Sequence, residues 1–375
     1  MNSEKWKKLN LQDIAYFKTG KLNSNAADNE GIYPFFTCSP ETYKINSFAF
    51  DCEAAILAGN NANGIFCLKY YKGKFNAYQR TYIITTDPFI ADVKFIYYQL
   101  DLRLNRLKEI SHGTATKYLT LPLLNEIEIN LPPVKTQRRI AEILTALDDK
   151  IELNRQTNAT LEAIAQAIFK EWFVDFNFPG ATGELVESEL GMIPKGWRVG
   201  KLEEIITNFD RKRVPLSSRE RENRKGAFPY YGAASILDYV DDYIFDGVYL
   251  LMGEDGTVIT EDGKPVLQYV SGKFWVNNHT HVLQGKKPFS TEFVLLQLKN
   301  TNVNLIVTGA VQPKINQGNL NELPVVIPDE FTLLSFQDTI TSIFSNILDT
   351  EQETSILKGI RDNLLPKLMN GEIDV

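Results

Sequence analysis

Cysteine and histidine are scarce, with three of each in 375 residues. Cys38, Cys52 and Cys67 all lie in the first third of the chain, and none stands at CxxC spacing. An odd, scattered set of thiols argues against a disulfide framework, and with so few histidines it argues against a zinc site. The expectation is of buried thiols in a reducing cytoplasm and no bound metal. Long apolar runs are also missing. None approaches the roughly 20 residues that cross a bilayer, so no membrane partner is expected. The opening MNSEKWKKLNLQDIAYF carries charges but no apolar stretch or small-residue cleavage site, so no secretory signal is expected. A GxxxxGK[ST] phosphate loop is absent too, which argues against nucleotide hydrolysis by this chain.

An excess of positive charge is the next thing lacking. The net charge is −7. It is unevenly divided. Residues 1–130 hold 15 Lys+Arg against 13 Asp+Glu, and residues 191–328 hold 16 against 15. Residues 131–190 hold 6 against 10, and residues 329–375 hold 3 against 9. The acid therefore sits on two stretches that read as helices, and these are poor surfaces for a polyanion. The other two stretches are near neutral or slightly basic.

What the chain does have is an internal repeat. WKKLNLQDI at Trp6 is answered by WRVGKLEEI at Trp197. Tyr33-Pro34-Phe35-Phe36 is answered by Phe228-Pro229-Tyr230-Tyr231. AAILAG after Phe50-Asp51 matches VYLLMG after Phe245-Asp246, and Gly73-Lys74-Phe75 matches Gly272-Lys273-Phe274. Gly113 and Gly309 stand 196 apart, as do Leu124-Asn125-Glu126 and Leu320-Asn321-Glu322. Short β-rich segments between Gly, Asn and Asp are expected at Ala54–Ala58, Gly64–Tyr70, Tyr82–Thr85, Val248–Met252 and His281–Gln284. Amphipathic helices are expected at Val93–Leu107 and Thr291–Lys299. The fold class is α+β, with two similar mixed α/β domains.

Each domain leads into a heptad seam. Ile140, Leu144, Leu147, Ile151, Asn154, Asn158, Leu161, Ala165, Ile168 and Trp172 follow one another at alternating steps of four and three. Adding 196 gives a second seam from Phe336 through Thr350, Thr354 and Arg361 to Leu368, polar where the first is polar. Such a pattern marks helices that pack lengthwise. The first helix is expected from Val134 to Phe173 behind Pro132-Pro133. The second is expected from about Phe331 to Leu365, stopped or kinked by Pro366. The polar positions should meet one another and fix register, which either an antiparallel or a parallel pair would allow. Arg361 breaks the apolar seam and would suit a position facing a partner. The expected segments are residues 1–132 and 197–328 for the two domains, 133–174 and 329–375 for the helices with the C-terminal tail, and 175–196 for a linker.

The string LPPVKTQRRIAEILTALDDKIELNRQTNATLEAIAQAIFKEWFVDF resembles the central conserved region of type I restriction–modification specificity subunits. IRDNLLPKLMNGEI resembles their distal conserved region, and FPYYGAASIL with SGKFWVNNHTHVL resembles their target-recognition domains. The resemblance covers essentially the whole chain. It implies two target-recognition domains, each reading half of a bipartite site on double-stranded DNA. It implies an antiparallel intramolecular coiled coil, giving a pseudo-twofold molecule in which the helices set the spacer. It implies two modification subunits that bind the helices and methylate adenine, and restriction subunits that cleave DNA. S-adenosylmethionine, ATP and magnesium would be held by those partners, with no cofactor and no catalytic residue here. The absence of any Asn-Pro-Pro-Tyr or Asp-Pro-Pro-Tyr string agrees with that. A stand-alone nuclease or methyltransferase is the rival reading, and a coiled-coil scaffold without a DNA role is the other.

Base edges are read by Asn, Gln, Arg and Lys, and phosphates by cations and hydroxyls. In the first domain the DNA-contacting candidates are Lys72, Lys74, Asn76, Gln79 and Arg80 from KGKFNAYQR, Asn60 and Asn61 from GNNANG, and Thr114, Thr116, Lys117 and Tyr118 after Gly113. In the second they are Arg213, Lys273, Asn277, Asn278, His279, Gln312, Lys314 and Asn316. Arg213 belongs to a basic run with Arg211, Lys212, Arg219, Arg221, Arg224 and Lys225. Glu254, Asp255, Asp262 and Lys264 faintly suggest a metal nuclease, but their Gly-punctuated setting suits turns. His279 and His281, two apart, are expected on one polar strand face.

Overall fold

The computed structural model describes residues 6–62, 64–113, 116–309 and 312–375. It divides into two compact units, residues 1–153 with 353–375, and residues 154–352. Among the described residues no helix is long and apolar enough to cross a membrane.

The first unit is built on a six-stranded sheet. Its order is Ala15–Thr19, Thr81–Thr86, Phe50–Ala58, Leu68–Ala77, Tyr33–Phe36 and Thr42–Ile45. All neighbours are antiparallel except Tyr33–Phe36 beside Leu68–Ala77. A separate pair, Lys7–Asn10 with Glu128–Leu131, clasps the beginning and end of the globular part. The helix Val93–Asp101 starts where the Asp92 carboxylate accepts the Phe95 N–H at 3.0 Å. It does not run to Leu107 as its periodicity predicts. The Arg103 N–H turns back to the Leu100 carbonyl, closing a tight last turn, and a new helix runs Leu104–Ile110.

The second unit repeats this plan with one break. Its two four-stranded sheets are ordered Ile206–Asn208, Thr280–Gly285, Tyr249–Gly253, Leu267–Val270, and Ile236–Val240, Lys225–Tyr231, Lys273–Val276, Phe245–Asp246. The break falls at Gly247 and Gly272, whose φ values are +127° and +83°. These two exchange backbone hydrogen bonds of 3.1 and 3.0 Å. In the first unit the corresponding strands run through without interruption, Cys52 opposite Gly73. Arg198–Lys201 and Pro324–Ile327 form the clasp. The helix Thr291–Lys299 matches its sequence expectation and is capped by Ser290.

The long helices are Val134–Phe173 and Glu330–Asn370. Each runs about 60 Å at 1.5 Å per residue. In the first unit they pack together in the core. Ile140 and Leu144 join Leu365, Leu368 and Met369, with Leu11, Phe95, Ile96 and Leu100 of the globular part. Arg361 is half-buried and paired within the unit. Its Nη1 donates to the Asp148 carboxylate at 3.0 Å, and Tyr98 Oη donates to the same carboxylate at 2.7 Å. The second helix also continues past Pro366. Proline there forfeits a helical hydrogen bond at a cost of about 3 kcal/mol, but buried Leu365, Leu368 and Met369 hold the turns around it.

In the second unit Phe169 and Phe173 from one helix pack on Phe336 from the other and on Phe293. Asn158 Nδ2 donates to the Ile347 carbonyl at 3.2 Å, while Thr350 Oγ1 bonds back to Asn346. Asn158 thus bonds the backbone of the facing helix, and Thr350 the backbone of its own. The linker is not featureless: Leu185–Ser188 and Gly191–Pro194 form a hairpin. Trp197 stacks on Phe178 and donates to Asp329 at 2.9 Å. The three thiols are half-buried rather than buried, and Cys38 Sγ donates to Asn60 Oδ1 at 2.9 Å.

Candidate nucleic-acid interface

Both units hold the same hydrogen-bonded loop frame. In the first, the Gly59 N–H donates to the Arg80 carbonyl and the Leu119 N–H to the Gly59 carbonyl, each at 2.8 Å. His112 and Tyr118 exchange both backbone bonds at 3.1 and 2.9 Å, closing the loop that begins at Gly113. Asn60–Asn61 pairs with Lys117–Tyr118. In the second, the Glu254 N–H donates to His279 at 2.9 Å and the Ile315 N–H to Glu254 at 2.8 Å. Thr308 and Lys314 exchange both bonds at 2.8 Å, and Asp255 bridges to Lys314. The frame pairs Gly59 with Glu254, one residue beyond the match between AAILAG and VYLLMG. Sequence reading missed this because both runs end in Gly.

Glycine is required at each loop's start. Gly113 has φ +95° and Gly309 φ +86°. A Cβ would lie 2.1 Å from the Thr116 carbonyl oxygen in the first and 2.3 Å from that of Gln312 in the second. The left-handed conformation alone costs an L-residue about 1–2 kcal/mol. Gly113→Ala is therefore expected to raise amide exchange over residues 116–118 while the unit's melting point stays within a few degrees. Unchanged loop protection would refute the constraint.

The frame gathers part of the predicted set. In the first unit Asn60, Asn61, Gln79, Arg80, Thr116, Lys117 and Tyr118 all sit on it, and Gln79, Arg80, Thr116 and Tyr118 are exposed. Gln79 also donates to Asn23 at 3.1 Å. Thr114 lies outside the described residues. In the second unit Asn278, His279, Gln312 and Lys314 sit on it, all exposed. Lys72, Lys74 and Lys273 lie instead on strands. Lys72 pairs with Glu53 at 3.3 Å. Lys74 and Lys273 take matching places, 4.8 Å over the Phe48 ring and 4.5 Å over the Tyr243 ring.

Four predicted contacts are internal. Asn76 is buried, its amide held by the Ser47 carbonyl and the Ala77 N–H. Asn277 is buried and its side-chain oxygen accepts from the His279 N–H and Thr280 Oγ1. Asn316 caps the helix Gln317–Asn321 through the Asn319 N–H. Arg213 is spent inside the domain: Nη1 reaches Glu254 at 2.7 Å and the Thr280 carbonyl at 2.7 Å, and Nε the Asp210 carbonyl at 3.0 Å. Its basic run is largely neutralised as well. Arg221 and Lys225 pair with Asp238, and Arg224 pairs with Asp241. Arg211, Lys212 and Arg219 stay exposed.

The two histidines part company. His279 is half-exposed and contacts Asp255. His281 is fully buried, not on a polar surface. Its Nδ1 lies 2.6 Å from Asp210 Oδ2 and its Nε2 2.8 Å from the Ile315 carbonyl. Asp210, Glu254 and His281 bring ligand atoms within 4.8 Å of one another, as a metal site would. Their oxygens, however, already face Arg213, Lys314 and the Val282 N–H. The chemistry is that of a compensated buried ion cluster. Asp262 and Lys264, the other members of the nuclease-like string, lie in a turn with Thr260 instead.

Fold and site together define a duplicated binding protein: two α/β units with equivalent loop frames, each drawing one stretch from both long helices. The chain belongs to the type I restriction–modification DNA specificity family, the non-catalytic subunits that recognise DNA sequence in type I complexes, since the family model "Type I restriction modification DNA specificity domain" matches residues 3–163 and 194–362. It is 30% identical to the type I restriction enzyme EcoDI specificity subunit of Escherichia coli, over 98% of this chain and 88% of that one. It is 28% identical to the MjaIX specificity subunit of Methanocaldococcus jannaschii, over 78% and 71%. The crystal structure of the type I restriction–modification S subunit from M. genitalium shares the fold, with TM-score 0.62, 19% identity, and coverage of 98% of this chain and 97% of that one.

Proposed function

We propose that each unit reads one half of a bipartite site on double-stranded DNA through its loop frame. The observation that carries this is the frame's duplication with different side chains: the backbone geometry repeats while the exposed residues change. A half-site reader needs a fixed platform and variable edges. Asn60, Asn61, Gln79, Arg80, Thr116, Lys117 and Tyr118 serve the first half-site, with Asn278, His279, Gln312 and Lys314 serving the second. Lys72, Lys74 and Lys273 are assigned to phosphates.

The chain is organised as recognition domains 1–132 and 197–328, helices in 133–174 and 329–375, and the connecting segment 175–196. The helices form an antiparallel coiled coil with pseudo-twofold character. Supporting this, contacts run in opposite order along the two helices within each unit: in the first Asp148 meets Arg361 and Lys150 meets Glu353, and in the second Asn158 meets Ile347 and Phe169 meets Phe336. On this reading the coil sets the spacer and docks two modification subunits, to which restriction subunits add. S-adenosylmethionine, ATP and magnesium belong to those partners.

The test uses the full chain with its modification subunit. Methylation mapping yields the site, and binding to that duplex is then measured against salt. Arg80→Ala with Lys117→Ala should weaken binding about tenfold and lower the salt slope by about 1 for each phosphate left unneutralised. Unaltered affinity and slope would reject the loop assignment.

A further inference from the structure

One side chain in each unit, half-buried in the first and fully buried in the second, ties the far end of the recognition loop to the sheet. In the first, Tyr82 Oη donates to the Leu119 carbonyl at 3.1 Å. In the second, His281 Nε2 bonds the Ile315 carbonyl at 2.8 Å. The two residues hold the same place, each following a fully buried threonine, Thr81 or Thr280, at the start of a matching strand. The residues they hold, Leu119 and Ile315, also donate their N–H groups to the frame at Gly59 and Glu254. Both backbone groups of the residue after the loop are thereby fixed.

The neighbour changes in step with the latch. At Gly59 a Cβ would lie 3.0 Å from the Tyr82 ring and 2.5 Å from the Arg80 carbonyl oxygen, so the first unit leaves no room for a side chain there. In the second unit the smaller imidazole faces Glu254, whose carboxylate is held by Arg213 and Lys314. His281 Nδ1 faces Asp210, and Nε2 faces a carbonyl, so both ring nitrogens meet acceptors. One latch is a neutral phenol and the other a member of an ion cluster.

We propose that Tyr82 and His281 are positioning residues for half-site recognition, Tyr82 for the half-site read by the first unit and His281 for the other. Neither touches DNA. Each acts by holding residues 116–118 or 312–314 in one conformation, which spares the loop the ordering cost of binding. The inference rests on the loop reading given above.

The experiment uses the full chain and the duplex found by methylation mapping, with control duplexes scrambled in one half-site or the other. Two measurements are paired: amide exchange of residues 116–119 and of Gln312, Lys314 and Ile315 without DNA, and discrimination against each scrambled half-site. Tyr82→Phe should loosen 116–119 alone and lower discrimination about fivefold at one half-site, as loss of a single hydrogen bond does. Arg80→Ala identifies that half-site independently. His281→Leu should loosen 312–315 and lower discrimination about tenfold at the other half-site, and His281→Gln, which keeps a donor, should recover most of it. If the loops loosen while discrimination holds, or both half-sites fall together, the positioning role is overturned. If Arg80→Ala and Lys117→Ala also leave discrimination intact, the loop reading itself has failed.

Discussion

Replacing Arg213 by alanine should destabilise the second unit by about 3 kcal/mol, because it removes the guanidinium shared by the buried Asp210 and largely buried Glu254 carboxylates and leaves them only His281 and Lys314. Asp210 is 8% exposed, and Glu254 has a side chain 14% exposed. The guanidinium also satisfies two backbone carbonyls, of Thr280 and Asp210. Denaturant unfolding followed by amide exchange should show residues 154–352 opening at lower denaturant, with residues 7–131 little changed. A loss below about 1 kcal/mol, the usual worth of an exposed pair, would mean the cluster is solvated. The same cluster fixes the acid response. Burial alone would raise the Asp210 carboxyl, but the hydrogen bond and charge of His281, the Val282 N–H and Arg213 outweigh it and hold the group below its ordinary value of 3.8. A carboxyl depressed in the folded state stabilises above its unfolded value, and that contribution is lost as pH falls through the folded one. The second unit should therefore lose stability below about pH 3.8, and Asp210→Asn should flatten that slope.

Phe336→Ala should cost about 3–5 kcal/mol through the cavity it leaves. Phe336 is 0% exposed. Its ring lies 4.8 Å from that of Phe173, 5.6 Å from Trp172 and 5.7 Å from Phe169. This aromatic knot joins the two long helices inside the second unit, so no neighbouring loop can collapse to fill the space. Phe336→Leu, which keeps much of the volume, should recover more than half of the loss. Equal costs for the two variants would show that the site relaxes freely. Chemical denaturation with intrinsic fluorescence reports it, since Trp172, Trp197 and Trp275 all lie in residues 154–352.

The helix Val134–Phe173 was legible to the residue because ten seam positions agree on one period and Pro132-Pro133 mark its start. Thr291–Lys299 was legible from its amphipathic pattern and its flanking polar residues. Pro366 misled because the proline penalty is local, while the burial of Leu365, Leu368 and Met369 depends on a core assembled from distant residues. Arg213 misled for a related reason. A basic run looks like a phosphate clamp until its acids are located, and Glu254 lies 41 positions away. Asn76 and Asn277 carry the right chemistry for adenine, yet period-2 patterning does not reveal that their side chains are used up in the turn before the next strand. The loop frame itself was half visible. Gly113 and Gly309 gave its hinge, but Gly59 and Glu254 join it through backbone bonds, and Tyr82 and His281 through side-chain bonds to distant carbonyls, none of which sequence spacing encodes.

The division of the chain has a consequence for its synthesis. The first unit is discontinuous: residues 154–352 are interposed between its two pieces. Leu365, Leu368 and Met369 belong to the same core as Leu11 and Phe95. On the ribosome, the unit whose strands emerge first therefore waits with that core open until the last helical turns appear. The later unit is one continuous stretch and needs nothing further downstream. Folding order then runs against the order of translation, and the early strands must stay unaggregated through that interval.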